Sequence, residues 1–139
     1  MSEAKLALAI TQYLHRVLPE DAVHFHVPNE GRRGRWEQSQ FLSAGGKAGI
    51  PDRWILWNGH AWCWEEKSDD GGLSASQKKM FPRIEAAGFP VPIVRSLDDA
   101  ERCLAGWGIP LRGVIAARSP QVAARPQKRT LSAAQSDTA

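Results

Sequence analysis

The sequence predicts an α/β protein in which one small mixed sheet of about four strands is flanked by helices. Three observations support this fold class. Segments with helical hydrophobic spacing alternate with strand-like segments, an order that one sheet covered by helices satisfies. An Asn-Gly pair separates two of the strand-like segments and is a strong hairpin signal. The length of 139 residues and the 42% hydrophobic content suit a single globular domain.

The first part of the chain is predicted to contain two helices and one strand. Apolar residues recur at helical spacing over residues 3–18, and Pro19 follows where a helix would end. Residues 22–28 alternate in the manner of a strand with one buried face. The side chains expected on that buried face are Val23, Phe25 and Val27. Residues 35–43 are predicted to form a short helix within a Gly- and Arg-rich stretch.

The second part of the chain begins with a predicted hairpin. Residues 53–58 and 61–67 are rich in Trp and Ile, and Asn58-Gly59 supplies the turn between them. The remaining predicted elements, in chain order, are a helix at 75–87 with Ser74 as N-cap, a strand at 91–95 and a helix at 97–105.

Charge and composition divide the chain into a domain over residues 1–115 and a basic tail over residues 116–139. The tail lacks hydrophobic periodicity and is predicted to be disordered. It carries four basic residues and one acidic residue, 4 − 1 = +3, which equals the net charge of the whole chain. Such a tail can hold a polyanion by displacing its counterions. A purely solubilising role explains its composition equally well.

The same inventory excludes several classes of protein. No apolar run is long enough to cross a bilayer, and the first residues do not resemble a secretory signal. The two cysteines, Cys63 and Cys103, form neither a metal knuckle nor a disulfide framework. We therefore expect a cytoplasmic protein with no membrane partner.

The residues that indicate chemistry lie at the open end of the predicted hairpin. Gly49-Ile50-Pro51-Asp52 precedes the first strand, and Glu65-Glu66-Lys67 ends the second. Side chains alternate along a strand, so Glu65 and Lys67 leave one face and Glu66 leaves the other. Because the turn is tight, Asp52 should lie beside Glu65. The hairpin would then bring two carboxylates and an ammonium group together.

Such a group of side chains suits cleavage of a phosphodiester. Mg²⁺ prefers oxygen ligands and keeps several waters, so one or two carboxylates and a substrate phosphate complete its coordination. The lysine would orient or deprotonate the attacking water, or stabilise the developing negative charge. Glu-x-Lys alone is common on exposed strands, and Pro-Asp alone is equally weak. Their combination, one hairpin apart and correctly phased, is much more specific.

Five segments in the same order extend this pattern over most of the predicted domain. They are Val27-Pro28-Asn29-Glu30-Gly31, Lys47-Ala48-Gly49-Ile50-Pro51-Asp52, Trp64-Glu65-Glu66-Lys67, Gly72-Leu73-Ser74-Ala75-Ser76-Gln77, and Gly88-Phe89-Pro90-Val91 through Val94-Arg95-Ser96. On these segments, from Phe25 to Pro110, the chain resembles a stand-alone VRR-Nuc domain. This is a branch of the PD-(D/E)xK nucleases found in phages, prophages and DNA-repair enzymes. The resemblance implies a restriction-endonuclease-like core.

The resemblance also implies a set of metal ligands. By position, Asp52 and Glu65 would bind the metal, Glu30 would be an additional acidic ligand, and the backbone carbonyl of Glu66 would coordinate as well. Glu30 has an alternative role, since it could merely pair with neighbouring arginines. One departure is visible: Glu66 occupies a position that is usually apolar in the family. If that face packs against a helix, Glu66 needs a cationic or hydrogen-bonding partner.

Two further catalytic roles follow from the same resemblance. Lys67 would be the catalytic lysine and Gln77 an accessory active-site residue. Gln77 also lies three residues after Ser74, the spacing of a helix capping box. Capping alone would explain Gln77, although one residue can serve both purposes.

Basic residues surround these positions in the sequence. Those expected to grip nucleic-acid phosphates are Arg32, Arg33, Arg35 and Lys47 in the loop before Asp52, and Lys78 and Lys79 on the following helix. The alternative is an ordinary solvated surface.

Together these features predict a Mg²⁺- or Mn²⁺-dependent endodeoxyribonuclease. The resemblance implies that its substrate is branched or otherwise structured DNA. A domain of this size offers little DNA-binding surface, so we expect a homodimer. Two alternatives remain open, namely a non-catalytic DNA-binding accessory module of a phage and a resolvase specific for four-way junctions. The intact carboxylate and lysine set argues against the non-catalytic alternative.

Overall fold

The structure, a computed structural model, describes residues 1–28 and 34–113. Within these residues the elements are α1 (Glu3–Val17), β1 (Val23–His26), α2 (Arg35–Ser43), β2 (Arg53–Trp57), β3 (His60–Glu66), α3 (Ala75–Ala86), β4 (Ile93–Val94) and α4 (Leu97–Gly106). The predicted α/β class and the predicted order of elements are confirmed. The predicted domain boundary at residue 115 and the tail beyond it lie outside the described residues.

The four strands form one mixed sheet in the order β1-β2-β3-β4. β1 pairs antiparallel with β2, β2 antiparallel with β3, and β3 parallel with β4. Asn58 and Gly59 connect β2 to β3 with positive φ angles of 50° and 78°, as a two-residue hairpin turn requires. The resulting register places Arg53 opposite Trp64, so the residue before β2 lies opposite Glu65.

Helices α1 and α4 cover one face of the sheet and form the larger core with it. This core contains Leu6, Ile10, Leu14, Ile55, Trp64, Val94, Leu104 and Ile109, all almost fully buried. Trp107, at the end of α4, stacks between Trp62 and Trp64 of β3, with ring centroids 5.6 and 5.8 Å away. These contacts fix the position of α4 against the strand that carries Glu65.

Helix α3 covers part of the opposite face and forms a second, smaller core. Its buried members are Cys63, Phe81 and Val91, with Trp54, Leu73, Ile84, Phe89 and Ile93 packed around them. Because Cys63 and Trp54 are paired across β2 and β3, this core lies on the same face as Asp52 and Glu65. The beginning of α3 is thereby brought to the end of the sheet where these acids lie.

The predicted buried face of β1 is wrong. Val23 and Phe25 are 55% and 44% exposed, whereas His24 is half-buried, with its ring 4.7 Å from that of His15 on α1. Among the described residues, the second, smaller core includes none from β1. The alternation therefore identified which side chains share a face, but a helix covers the face opposite to the one expected.

The described helices do not have the character of membrane spans. None of them combines the length and the apolar composition that crossing a bilayer demands.

Candidate active site

The open end of the β2–β3 hairpin brings Asp52 and Glu65 together. The Asp52 amide donates to Oε1 of Glu65 at 3.2 Å, and the Glu66 amide donates to Oδ2 of Asp52 at 3.0 Å. Each strand thus supplies a backbone donor to the carboxylate of the other. The side-by-side arrangement expected from the hairpin is present, and both carboxyl groups are buried.

Lys67 completes the group from the end of β3. Its Nζ lies 3.5 Å from Oε2 of Glu65, and only 6% of the residue is exposed. Its amide donates to the carbonyl of Val94 on β4 at 3.0 Å, which fixes the backbone at this position. The ammonium group is therefore held on the same side of the sheet as the two acids.

Gln77 reaches the same group from α3, where it both caps the helix and contacts Glu65. Its side-chain Oε1 accepts from the Ser74 backbone amide at 2.9 Å, while its backbone amide donates to Oγ of Ser74 at 3.2 Å. These two bonds form the capping box at the start of α3. Its Nε2 donates to Oε2 of Glu65 at 2.7 Å. One side chain thus caps the helix and orients Glu65.

Asp52, Lys67 and Gln77 border a pocket of about 270 Å³, and the buried Glu65 contacts all three of them. The pocket is lined by Gly49, Ile50, Asp52, Lys67, Ser74, Ser76 and Gln77. Gly49 has a φ of +82°, and a Cβ added to it would lie 2.5 Å from the carbonyl oxygen of Ser76. Only glycine permits this close approach of the loop to α3. Sequence analysis did not single out Ser76, because its place in the pocket depends on that tertiary contact.

Burial dominates the electrostatics of the acids. It raises the pKa of Glu65 to about 8; the negative charge of Asp52 adds to the rise, and Lys67 opposes it. Burial also raises the pKa of Asp52, although hydrogen bonds with Glu65 and with the Glu66 amide partly offset the effect. Two carboxylates that share one buried site are destabilised as anions unless a cation joins them.

The donor set fits a hard divalent cation. Within residues 1–28 and 34–113, no three His, Cys, Asp or Glu side chains gather as a metal-binding group, so the site offers two carboxylates. Two suffice for Mg²⁺, which retains several waters and takes further oxygens from a substrate phosphate. The Glu66 amide donates to Asp52, and ordinary strand geometry directs the carbonyl of the same residue to the same side. Glu30 lies outside the described residues.

On the opposite face of the sheet, Glu66 has the cationic partner that its burial requires. Arg53 Nε and Nη2 donate to its two carboxylate oxygens at 2.8 and 3.1 Å. Trp64 Nε1 donates to Oε2 at 2.7 Å. The sequence indicated that Glu66 needs a cationic or hydrogen-bonding partner, but Arg53 was not predicted to be that partner. Arg53 could have been identified from the sequence, since the hairpin register places residues 53 and 66 on one face.

The basic residues proposed to grip phosphates are exposed where the structure describes them. Arg35 begins α2, Lys47 precedes the pocket-lining Gly49 by two residues, and Lys78 and Lys79 follow Gln77 on α3. Arg32 and Arg33 lie outside the described residues. Lys47, Lys78 and Lys79 thus flank the pocket along the chain, while Lys67 is the lysine that lines it.

Comparisons of the chain with protein-family models, with curated proteins and with solved structures find no match. What the chain does is therefore inferred from its own residues. The buried carboxyl group of Glu65 contacts Asp52, Lys67 and Gln77, and these three residues line one pocket. This arrangement can bind a divalent cation and stabilise negative charge beside it.

Proposed function

We propose that this protein is a Mg²⁺- or Mn²⁺-dependent endodeoxyribonuclease with a restriction-endonuclease-like core. The observation that carries the proposal is the contact of Glu65 with both Asp52 and Lys67, beside a pocket that Asp52 and Lys67 line. The reaction is hydrolysis of a phosphodiester, in which water adds to phosphorus and one P–O ester bond breaks. The departing oxygen takes up a proton.

Each residue has a defined part in this proposal. Asp52 and Glu65 would hold the cation, together with the Glu66 carbonyl. A bound Mg²⁺ would polarise the phosphoryl oxygens, lower the pKa of the attacking water and offset charge on the leaving oxygen. Gln77 keeps Glu65 oriented through its 2.7 Å hydrogen bond. Lys67 places an ammonium group where negative charge develops.

The wall of the pocket that the beginning of α3 forms supports the proposal that the substrate is an anion. Ser74, Ser76 and Gln77 at the beginning of α3 line it, so the positive end of the helix dipole faces the same space as Lys67. This wall would receive a phosphate held by the cation. The exposed Lys47, Lys78 and Lys79 would then contact neighbouring phosphates of the strand.

The preference for branched or structured DNA and the homodimeric state are parts of the same proposal. Both are supported by the resemblance to VRR-Nuc domains. The small size of the domain also supports a dimer, because one copy offers little surface to a duplex. Cleavage rates on linear duplex, flap and four-way-junction substrates of equal length would rank these preferences, and a junction-only activity would favour the resolvase alternative.

The decisive experiment incubates the protein with supercoiled plasmid and with branched oligonucleotides in Mg²⁺, Mn²⁺ or EDTA. We expect cleavage with either metal, none with EDTA, and a rate at least about 100-fold lower for Lys67→Ala. Lys5→Ala is the matched control, because it removes an exposed lysine of α1 that does not line the pocket. Its rate should stay within a few-fold of wild type.

One result would contradict the proposal of a nuclease. If wild type and Lys67→Ala are equally inert under every metal condition while both bind DNA, the protein is a non-catalytic DNA-binding module. Circular dichroism of each variant would confirm that the comparison is between folded proteins.

A further inference from the structure

We infer that the buried ion pair between Arg53 and Glu66 is a positioning element that holds Asp52 and Glu65 in the geometry of the site. We call this pair the Arg53–Glu66 clamp. Its consequence for metal binding rests on the proposed function. Its consequence for the geometry of the two strands does not.

The contacts of the clamp join three elements. Arg53 and Glu66 are 1% and 2% exposed, and the guanidinium bonds both carboxylate oxygens of Glu66. Arg53 also donates through Nη1 to Oγ1 of Thr11 at 3.0 Å and through Nη2 to the carbonyl of Ala7 at 3.2 Å. The pair thus fastens β2 to β3 and both strands to α1.

The clamp lies directly behind the site. Arg53 follows Asp52, and Glu66 follows Glu65, so the alternation of each strand sends one member to the site face and its neighbour to the clamp face. The Glu66 amide is itself the donor that holds Oδ2 of Asp52. A displacement of Glu66 would therefore move Asp52, the Glu66 carbonyl and the start of Lys67 together.

Overall stability is a poor explanation for the clamp. A buried ion pair is strongly desolvated, and its replacement by side chains of similar volume is often neutral or stabilising. What the bidentate pair fixes well is geometry, because the guanidinium fork accepts the carboxylate in a defined orientation. Two strands that each carry one metal ligand need that precision, since a ligand displaced by a fraction of an ångström binds a cation poorly.

The double variant Arg53→Met/Glu66→Gln removes the clamp without leaving a buried charge. The methionine fills volume, and the new amide oxygen can still accept from Trp64 Nε1. Thr11 keeps its existing bond to the carbonyl of Ala7 at 2.8 Å. We expect a folded protein whose dissociation constant for Mn²⁺, measured by titration calorimetry without DNA, rises about 10- to 100-fold. The Glu66 amide should exchange with solvent at least about ten-fold faster relative to the Ile55 amide.

Leu104→Ala is the control for a purely structural effect. Leu104 is fully buried in the larger core, which α1 and α4 form with the sheet. Its truncation should therefore lower the melting temperature without affecting Asp52 or Glu65 directly. The folded control should bind Mn²⁺ as wild type does. If the double variant does not fold, Arg53→Lys replaces it, because it keeps the charge and loses the fork. Arg53→Lys should show a smaller change in the same direction.

Two outcomes separate this inference from the proposed function. Unchanged Mn²⁺ affinity and unchanged Glu66 exchange in the folded clamp variant would overturn the positioning role, while wild-type cleavage would leave the nuclease proposal intact. A wild-type protein that binds no Mn²⁺ and cleaves no DNA would overturn the proposed function. Exchange of the Glu66 amide would then decide the role of the clamp alone.

Discussion

Gln77 joins two parts of the molecule through the two ends of one amide. Its oxygen belongs to the capping box with Ser74, and its nitrogen donates to Glu65. The capping spacing was visible in the sequence. The contact with Glu65 was not, because it depends on where α3 packs. At this position, helix stability and site geometry are therefore coupled.

Gln77→Glu separates the two roles. A glutamate keeps the acceptor that the Ser74 amide needs, but it places a second carboxylate where an amide now donates to Glu65 at 2.7 Å. We expect the metal-free variant to melt several degrees below wild type near pH 8. The deficit should shrink near pH 5, where the two carboxyl groups share a proton. Thermal unfolding monitored by circular dichroism at both pH values measures this, and an equal deficit at both would contradict it.

Glu65→Gln should stabilise the metal-free protein at high pH. The pKa of Glu65 is about 8 in the folded chain, against an ordinary value of 4.5. The folded state therefore holds a proton that the unfolded state releases, and this contribution to wild-type stability is lost as pH rises from about 4.5 through 8. The variant carries no such group, so it should be more stable than wild type by at least about 1 kcal/mol above pH 8.

The same comparison has two internal checks. The advantage of Glu65→Gln should vanish near pH 4, where both proteins carry a neutral group at this position. Added Mn²⁺ should raise the melting temperature of wild type more than that of the variant. Denaturant unfolding across this pH range provides the measurement, and an advantage that is independent of pH would show that charge is not its cause.

At the residue scale, the sequence was most informative where only local geometry was needed. Strand alternation and the Asn-Gly turn were enough to pair Asp52 with Glu65 and to place Lys67 beside them. The need of Glu66 for a partner was also foreseeable. Identifying Arg53 as that partner required the register of the hairpin and the side of the sheet that α1 covers. Of these two, the register could have been predicted from the sequence.

At the scale of elements, the loop before β2 touches the beginning of α3 at one glycine. The backbone of Gly49 approaches Ser76 so closely that no Cβ fits between them. This contact sets the distance between the strand that follows Asp52 and the helix that carries Gln77. It also closes one side of the pocket.

Gly49→Ala should disturb this junction more than a glycine replacement normally does. Its control is Gly45→Ala, since Gly45 also has a positive φ, of +94°, but a Cβ there would meet nothing within 4 Å. The control should lose about 1–2 kcal/mol of stability from strain alone, and Gly49→Ala should lose a further ~1–3 kcal/mol from the collision. Urea unfolding measures both values. Equal losses would show that the junction adjusts freely.

The elements themselves were largely predictable, and their surroundings were not. Hydrophobic spacing, caps and turns identified all the described helices and strands in order. The β1 strand shows where such patterns stop, because Val23, Phe25 and His24 alternate correctly while the covered face is the other one. Which face of an edge strand receives a helix depends on long-range packing that no local pattern encodes.

At the scale of the whole molecule, the net positive charge lies beyond the predicted domain. The full chain has 18 basic and 15 acidic residues, and residues 116–139 hold four and one of them. The rest is neutral overall, with 18 − 4 = 14 basic and 15 − 1 = 14 acidic residues. Long-range attraction to a polyanion should therefore depend on the tail, whereas Lys47, Lys78 and Lys79 would act at short range.

Neutralising the tail should weaken DNA binding in a salt-dependent way. The variant replaces Arg118, Arg125, Lys128 and Arg129 by glutamine in the full chain. If all four contact phosphates, the slope of log binding constant against log salt concentration should fall by about 3 to 4. Fluorescence anisotropy over a salt series measures it. Lys5→Gln/Arg16→Gln, which removes two exposed charges of α1, is the control, and an unchanged tail-variant slope would favour the solubilising role.

The division of the β2–β3 hairpin into a site face and a clamp face limits how such a gene can change length. A single-residue insertion in one strand, between the turn and the site, would turn that strand's acid toward the clamp face and separate it from the acid of the other strand. Lengthening both strands by one residue at the turn would preserve the existing pairs and their faces, because the two added residues pair with each other. Homologous genes that retain this chemistry should thus differ here by even numbers of codons, a signature recognisable even where sequence identity has faded.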